Sequence, residues 1–325
     1  MPLLFARAGF GLLLLLTILL PQTWAQGCSD AGFCTMGAMR PDQAYSRKIN
    51  FKLRSIELSQ YKGNTTLTPI VYVTNLDVSL GITQRLGVQV KLPYQWTTGN
   101  FGQAAGMGDI SLSVTRLIKR FTHFELNATV GMKIPSNKAD LRSQGRKRPL
   151  SEGLVLPMYY QVSLGSWDVV AGASLINEKW LFAIGYQDAL TANNNTFEQD
   201  EWLPPVYPSE GYVRSYDEAT KLKRGTDIML RVERNFRFAR YNVFVGLLPI
   251  FRVTKDRILD KNTNEYIKLE GTTGMALSAL FGAGYNFNIN NSLKFTYGKK
   301  ITQREVNPDG LTRTNVMIIA YLFRF

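Results

Sequence analysis

Long segments in which apolar and polar residues alternate are the feature that most constrains this chain. In residues 124–134, FELNATVGMKI, an apolar residue stands at every second position, and residues 88–96, VQVKLPYQW, repeat the pattern. Residues 226–236 and 293–300 do the same. A period of two puts alternate side chains on opposite faces of a strand, whereas a helix requires a period of 3.6. The chain after residue 45 is therefore predicted to be all-β.

The length of these segments separates a membrane barrel from a soluble sandwich. They run about 10–14 residues, longer than the usual 5–6 of globular strands but suited to a tilted transmembrane strand. Aromatic residues gather at segment ends, as Tyr94 and Trp96 or Tyr285 and Phe287 do. Such positions are typical of the aromatic girdles at the two membrane interfaces. We therefore predict a transmembrane antiparallel up-and-down β-barrel over residues 46–325.

The connections between segments alternate between two sizes. The short ones are 81–85, 120–123, 165–166, 237–240 and 288–291, and the long or polar ones are 61–66, 97–107, 136–152, 190–223, 255–271 and 302–311. This asymmetry is typical of outer-membrane barrels, which have tight periplasmic turns and longer external loops. It predicts about twelve strands.

One segment leaves the strand count open. Residues 167–190 are interpreted as one long strand that extends past the membrane. A hairpin turning at residues 177–179 is the alternative, and it changes the parity unless another strand is lost. Ten or fourteen strands therefore stay open.

The first 45 residues lack this alternation. Residues 1–25 have the pattern of a secretory signal peptide: Arg7 precedes the apolar run 10–20, and the small residues Thr23 and Ala25 follow it. The run is too short to cross a membrane comfortably. Residues 26–45 are predicted to be an irregular segment, either periplasmic or folded into the barrel as a plug. Export predicts the outer membrane of a Gram-negative bacterium as the location.

Both cysteines, Cys28 and Cys34, lie in this N-terminal segment. An exported chain meets an oxidising compartment, which favours a small disulfide loop. Acylation of Cys28 within AQGC is one alternative. Metal binding by both cysteines and Asp30 is another, although it lacks a fourth ligand and a histidine. No cofactor and no metal site are predicted.

The net charge of +13 raises the question of the protein's partners. A basic balance can indicate nucleic acid, but the export signal points instead to anionic lipid, lipopolysaccharide or anionic solutes. Lipopolysaccharide phosphates are the predicted partners of a basic external cluster at Lys138, Arg142, Arg146, Lys147 and Arg148. The same residues also suit a merely solvated loop.

Charged residues also fall on the face of the strands predicted to line the lumen. The basic positions are Lys52, Arg54, Lys91, Lys133, Arg231, Lys294 and Lys300, and the acidic ones are Glu125, Asp227 and Glu233. This excess of cations predicts a mildly positive interior that favours anionic or amphipathic solutes. The structural interpretation is that opposite charges pair between neighbouring strands and fill the barrel.

Catalytic chemistry is not predicted. The chain has one histidine, His123, in a predicted periplasmic turn, and it has neither a G-x-S-x-G nor an HExxH motif. A nucleophile with a positioned base is therefore missing. We interpret His123 as a solvated turn residue and the protein as a non-enzyme.

A glycine-rich stretch, GNFGQAAGMGDISLSVTRLI at residues 99–118, carries a family resemblance. With Gly106, Gly108, Asp109 and Leu112, helped by KLPY at 91–94, it resembles the outer-membrane barrels associated with the MetA pathway of phenol degradation, distant relatives of long-chain fatty acid transporters. That resemblance implies passage of a hydrophobic or aromatic compound.

The predicted function is a channel or transporter passing a small hydrophobic or anionic compound by passive diffusion. Gly106, Gly108 and Asp109 are expected to shape the external entrance. Three aromatic residues of the long loop 190–223 are expected to line or gate it: Trp202, Tyr207 and Tyr212. The alternative is a structural or surface-interaction barrel that binds lipopolysaccharide or a protein partner through its external loops.

The terminal segment NVMIIAYLFRF ends on an alternating aromatic set, Tyr321, Phe323 and Phe325. We interpret this row as the lipid-facing side of the closing strand, which must pair with the first strand to remove the free edges of the sheet. We also interpret it as the signal that the outer-membrane insertion machinery recognises.

Deletion of Phe325 is therefore expected to lower the amount of assembled barrel in the outer membrane several-fold. The measurement is the fraction of protein that migrates as a folded, heat-modifiable species in membrane extracts. Phe238→Ala, which removes an aromatic side chain from a predicted turn, is the matched control and is expected to assemble normally. Equal assembly of the deletion and the control contradicts the assembly-signal interpretation.

Overall fold

The computed structural model describes Met36, Met39 and residues 52–65, 67–311 and 313–325. The signal-peptide prediction for residues 1–25 and the disulfide prediction for Cys28 and Cys34 lie outside these residues. So does most of the segment 26–45.

Extended strands dominate the described part of the chain. Their bounds are β1 Lys52–Asn64, β2 Ile70–Gly81, β3 Leu86–Thr98, β4 Gln103–Met107, β5 Ile110–Arg120, β6 Glu125–Ile134, β7 Asp168–Ile176, β8 Trp180–Ala189, β9 Asp227–Arg237, β10 Tyr241–Arg252, β11 Arg257–Leu259, β12 Tyr266–Lys268, β13 Gly274–Asn286, β14 Asn291–Thr302 and β15 Asn315–Arg324. Helical structure consists of short turns and the four-residue helix Glu210–Val213. Among the described residues, no helix has the length and apolarity to cross a membrane.

Twelve strands close on themselves into an antiparallel barrel, which confirms the predicted fold class and count. Each strand pairs with the next along the chain, and β15 pairs with β1 from Asn64↔Asn315 to Ser55↔Arg324. β4 and β5 together serve as one wall strand, because both pair with β3 on either side of a break at residues 108–109. β11 and β12 form a separate two-stranded hairpin between β10 and β13.

The outer wall is apolar and the inner wall is largely polar, as the alternation requires. On β15, Met317, Ile319 and Tyr321 are exposed on the outside, whereas Val316 and Ala320 are buried. The same pattern runs around the barrel and leaves a belt of exposed Leu, Val, Ile and aromatic side chains. A closed barrel satisfies every backbone hydrogen bond within the sheet, and an apolar belt requires hydrocarbon around it. The protein is therefore an outer-membrane barrel.

The two ends of the barrel differ as expected. Five tight turns and both ends of the described barrel strands lie at one end, which is the periplasmic end in barrels of this class. The connections at the other end are external loops. The longest are loop L3 (residues 135–167), loop L4 (190–226), loop L5 (253–273) and loop L6 (303–314).

The prediction of one long strand over residues 167–190 is wrong. The segment is the hairpin of β7 and β8, and Asn177 closes its turn by accepting hydrogen bonds from the backbone N–H groups of Lys179 and Trp180, at 2.8 and 2.6 Å. The alternation is obscured here because Val170 and Leu181 point inward and are themselves apolar, packing in a cluster inside the barrel.

The strand expected over residues 153–164, and the periplasmic turn expected at 165–166, are also wrong. Residues 155–164 are buried inside the external half of the barrel as part of L3, and β7 begins only at Asp168. The sequence of this segment resembles a strand because the segment packs against protein on both sides and therefore has closely spaced apolar residues. One strand lost here and one gained at the hairpin leave the total at twelve. Part of the loop expected at 97–107 is also strand β4.

These corrections predict a labelling pattern in intact cells. In a Cys28→Ser/Cys34→Ser background, Gln144→Cys in L3 is expected to react with a membrane-impermeant maleimide added outside. Glu178→Cys in the β7–β8 turn is expected to react only after the outer membrane is permeabilised. Labelling of Glu178→Cys in intact cells would place that turn outside and contradict the hairpin.

Candidate functional site: the barrel interior

Aromatic side chains from L3, L4 and the β3–β4 turn form a cap inside the external end of the barrel. Phe101 lies at its centre, with ring centroids 4.6 Å from Trp202, 5.2 Å from Tyr207 and 4.6 Å from Tyr216. Trp202 is fully buried, and its indole N–H donates to the carbonyl of Val155 at 3.0 Å, which joins L4 to L3. The cap thus depends on contacts between loops, and the strands alone do not form it.

Tyrosine hydroxyls within this cap hydrogen bond to one another and to Thr68. Tyr212 and Tyr216 hydrogen bond at 2.8 Å, and the hydroxyl of Thr68 contacts both of these tyrosines and Tyr160. Tyr160 also accepts a hydrogen bond from the backbone N–H of Phe101 at 3.2 Å. Burial raises the pKa of Tyr160 to about 12, so this hydroxyl stays protonated and can both donate and accept.

The glycine-rich motif at the β4–β5 break holds L3 against the wall. Asp109 is buried and accepts hydrogen bonds from the hydroxyl of Ser163 and, at 3.1 Å, from the backbone N–H of Leu164. The Nζ atom of Lys133 lies 3.7 Å from the same carboxylate. A Cβ atom at Gly108 would lie 3.0 Å from the carbonyl oxygen of Val162, so glycine permits this close approach.

A buried charge network ties the external loops to each other. Arg252 at the end of β10 contacts Asp227 at 2.6 Å, Asp256 at 2.5 Å and Asp309 at 3.0 Å. Arg304 of L6 lies 3.7 Å from Asp256 and 3.4 Å from Asp309. These residues come from β9, β10, L5 and L6, so the network joins the β9–β10 hairpin and L5 to L6, which is about 50 residues further along the chain.

A second buried pair belongs to the same region. Arg224 of L4 bonds to Asp168 at the start of β7, and the Arg224 guanidinium also donates to the hydroxyl of Ser166 at 3.2 Å. Burial disfavours the charged guanidinium, but Asp168 outweighs that effect and raises the pKa of Arg224 above its ordinary value. This pair fixes the end of L4 to the end of L3.

Burial and neighbouring charge act against each other in L5 and L6. Burial opposes ionisation of Asp309, but Arg304 and Arg252 outweigh it and hold the pKa of this carboxyl below its ordinary value. Burial raises the pKa of Asp256, and the nearby Asp309 raises it further against the opposing effect of Arg252. The network therefore keeps Asp309 ionised beside Arg252 and Arg304.

Most of the sequence-predicted lumen charges have oppositely charged neighbours. Lys91 lies 3.9 Å from Asp77, Lys294 lies 3.8 Å from Glu57, and Arg231 pairs with Glu233 at 2.5 Å. Asp227 belongs to the charge network, Lys133 lies beside Asp109, and Glu125 pairs with exposed Arg120 at 2.9 Å. Two of the cations contact neutral groups: Lys300 donates to the side chain of Gln303 at 2.8 Å, and Arg54 donates to the carbonyl of Thr83 at 2.8 Å. The side chain of Lys52 lies outside the described residues.

Met36 and Met39 of the N-terminal segment are buried inside the barrel. They pack in an apolar cluster of inward-facing wall residues: Val170, Leu181, Ala183, Met229, Phe244, Leu248 and Leu280. The carbonyl of Met39 accepts a contact of 3.4 Å from the guanidinium of Arg231. Of the two placements predicted for residues 26–45, the described pair thus lies within the barrel.

A cavity of about 1140 Å³ occupies the periplasmic end of the interior. Its charged lining residues are Arg120, Glu125, Glu178, Lys179, Arg237, Lys294 and Arg324. Asn177, Asn235, Asn242 and Asn286 add polar amides. Five Lys or Arg side chains against two carboxylates give this cavity a positive balance. His123 is an exposed residue at its rim.

The predicted entrance and gate residues come together at the external end. Gly106, Gly108 and Asp109 lie beside L3, while Trp202, Tyr207 and partly buried Tyr212 lie in the cap. Of the basic L3 residues, Arg148 stacks on the ring of Tyr207 at 3.8 Å, and the exposed ones are Lys138, Arg142, Arg146 and Lys147. Sequence reasoning missed Arg224, Arg252 and Asp309, because ion pairs between separate loops leave no local pattern.

Comparisons with known proteins add little to this picture. No protein-family model matches the chain, and no curated protein does. Among solved structures, the NanC porin is 11% identical with a TM-score of 0.46, covering 84% of this chain and 100% of that one. The KdgM porin is 8% identical with a TM-score of 0.42, covering 83% and 99%. The outer membrane phospholipase A from Escherichia coli is 7% identical with a TM-score of 0.36, covering 83% and 92%.

The charge network predicts that Arg252→Met is strongly destabilising. The substitution leaves Asp227, Asp256 and Asp309 close together without their main cation, and removing one partner of a buried ion pair costs about 3–5 kcal/mol. The measurement is the free energy of unfolding in a urea titration of the purified barrel in micelles.

Arg214→Met is the matched control for this substitution. Arg214 forms its ion pairs with Asp200 and Glu210 on the surface of L4, with 41% of the Arg214 side chain exposed. Such exposed pairs contribute about 0–1 kcal/mol. Equal losses for the two variants would show that the buried network has no special role in stability.

Proposed function

We propose that the protein is an outer-membrane channel through which a small hydrophobic or anionic compound passes by passive diffusion. Its external mouth is closed by L3 and L4, and these loops act as the gate. No catalytic role is proposed for any residue, and His123 serves only as a lining residue of the periplasmic cavity.

The observation that carries this proposal is what fills the external half of the interior. Segments of L3 and L4 fill it, with Tyr160, Phe197 and Trp202 fully buried there. Barrels of eight strands are filled by their own side chains, and wider barrels leave room for a path. In this twelve-stranded barrel, loops and not wall side chains fill the external half of the interior. Movement of these loops can therefore open a path.

Charge on the lining supports an anionic solute. The periplasmic cavity has more cations than carboxylates, and Lys179, Arg237 and Arg324 face it from three different elements. A cleft lined by one sign of charge concentrates counter-ions and raises their rate of entry. The apolar cluster around Met36 and Met39 supports a hydrophobic portion on the same solute.

A structural or surface-interaction barrel is the second candidate. The exposed basic side chains of L3, such as Arg142, Arg146 and Lys147, favour it, because they present positive charge to the outer surface. In that function the external loops bind lipopolysaccharide or a protein partner, and the closed interior is permanent.

Shortening L4 tests the channel. Gln199 and Glu218 lie together at the base of the loop, since the backbone N–H of Gln199 donates to the carboxylate of Glu218 at 3.3 Å. Replacement of residues 200–216 by a short Gly-Ser linker is therefore compatible with the barrel. It is expected to raise conductance in planar bilayers several-fold over the full-length protein, with a reversal potential that indicates anion preference.

Two further variants complete this experiment. A protein lacking residues 26–45 tests whether the N-terminal segment also restricts flow, and Trp202→Phe is the conservative control, expected to stay closed. Absence of conductance and solute uptake in the full-length, loop-shortened and N-terminally truncated proteins would contradict the channel. Loss of surface binding by an Arg142→Glu/Arg146→Glu/Lys147→Glu protein, with conductance absent throughout, would support the second candidate.

A further inference from the structure

Near the external rim, one level of the outer wall carries a row of aromatic and basic side chains with one methionine among them. Directly paired residues on neighbouring strands form this row, which runs Trp96, Tyr72, Lys62, Met317 and Tyr297 across β3, β2, β1, β15 and β14. All five face outward. Their chain neighbours Gln95, Val71, Tyr61 and Val316 are buried, and Tyr297 lies opposite exposed Met317.

Contacts within the row hold its side chains against the wall. Tyr72 and Trp96 stack with their ring centroids 5.3 Å apart and an interplanar angle of 12°. The Nζ atom of Lys62 lies 5.7 Å from the centroid of Tyr72. The hydroxyl of Tyr297 donates to the side chain of Asn315 at 2.8 Å. The row is therefore a preformed aromatic platform beside a cation.

A second lysine lies just above the row. Lys299 is exposed and pairs with Asn315, whereas Lys62 pairs with Met317 two residues further along the same strand. Both lysines thus flank β15. Two strand spacings and two residues of rise separate their Cα atoms by about 12 Å. With flexible four-carbon stems, both ammonium groups can reach one ligand.

Negative charge is absent from this part of the outer wall. The described strands β1, β2, β3, β14 and β15 contain two carboxylates, Glu57 and Asp77, and both are buried in the interior. Directly below the row, the outer face has exposed Ile319 beside the pair Gln60 and Thr74, which hydrogen bond at 2.7 Å. Beneath that level the wall is apolar, with exposed Leu58 and Leu76. The surface thus combines cations and aromatic rings at the head-group level with an apolar face beneath.

We propose that this patch, formed by Lys62, Tyr72, Trp96, Tyr297 and Lys299, binds the phosphorylated glucosamine head group of lipopolysaccharide. The two ammonium groups contact its phosphates, the aromatic faces pack against its sugar rings, and its acyl chains lie on the apolar wall below. A lipid with one phosphate and no sugar satisfies only part of the patch.

This site is separate from the channel and from the basic cluster of L3. Its side chains face lipid on β1, β2, β3 and β14, whereas the proposed gate lies inside the barrel. Its ligand therefore lies across β15 and the closing pair β1–β15, because Lys62 is on β1 and Lys299 is on β14. Lipopolysaccharide binding at this patch does not depend on whether the protein conducts.

Charge reversal tests the site. Purified protein in dodecyl maltoside is titrated with diphosphorylated lipid A, and bound lipid is quantified by native mass spectrometry. Lys62→Glu/Lys299→Glu is expected to weaken binding by more than about 25-fold, because loss of each lysine near an anionic membrane surface costs about fivefold and the new carboxylates repel the phosphates. Monophosphorylated lipid A is expected to bind the wild-type protein more weakly than the diphosphorylated form.

The matched control reverses two exposed cations at the other rim. Arg116→Glu/Lys119→Glu changes the net charge equally on β5, and its affinity is expected to stay within about twofold of wild type. Heat-modifiable migration reports whether each variant is folded. If the double reversal does not fold, Lys62→Gln/Lys299→Gln replaces it, with an expected loss of about 25-fold, fivefold for each lysine removed.

Two results would overturn the proposal. One is equal affinity of the lysine variant and the control for diphosphorylated lipid A. The other is wild-type protein that binds phosphatidylglycerol as tightly as lipid A, because the patch would then recognise only negative charge. Conductance is expected to be the same in the lysine variant and in wild type, so failure of this site and failure of the channel are distinguishable.

Discussion

The pairing of the last strand with the first is the interaction on which the rest of the structure depends. In hydrocarbon an unpaired backbone N–H or C=O has no water to bond to, so an open sheet edge is excluded. β15 and β1 remove that edge along their shared length, from Asn64↔Asn315 to Ser55↔Arg324. Only after closure does the sheet have an inside, in which charges can be buried, and an outside, where Met317 and Ile319 contact lipid.

Closure by twelve strands creates an interior wider than the wall side chains can fill, and the loops use that space. L3 lies along the wall because Gly106 and Gly108 leave room for it and Asp109 holds it. L4 is joined to L3 through Trp202 and to β7 through Arg224. Each attachment is a small number of polar contacts around an aromatic cluster. The two loops are thus held inside the barrel by side-chain contacts and are not part of the sheet.

Buried ion pairs inside the barrel are of two kinds, those within the wall and those between the external loops. In the lower half, Lys294–Glu57 joins β14 to β1 across β15, and Arg231–Glu233 joins two residues of β9. In the upper half, Arg252 and Arg304 connect carboxylates from different loops. Charges taken out of water are costly unless they are paired, so this upper network specifies one arrangement of the loops. The surplus of cations remains at the periplasmic cavity.

Sequence reasoning succeeded where a pattern is local and failed where packing decides. Alternation predicted most strands of the barrel wall, because lipid on one side and a polar interior on the other impose a strict period of two. The total of twelve agreed because the strand wrongly expected at residues 153–164 offset the missed hairpin of β7 and β8. Alternation failed at residues 153–190. There, Val170 and Leu181 face an apolar cluster, so part of the inner face of β7 and β8 is apolar like the outer face, and the buried loop 155–164 resembles a strand. The turn residue Asn177 was the local signal of the hairpin.

The candidate site divides in the same way. The sequence by itself determined the barrel, the basic balance and the aromatic residues Trp202, Tyr207 and Tyr212 as gate candidates, since composition and spacing are local properties. Only the tertiary structure decided that Asp109 holds a loop, that Arg252 gathers three carboxylates and that Lys62 and Lys299 flank one seam. These groups are brought together by closure of the sheet, and contacts between residues far apart in sequence leave no periodic trace along the chain.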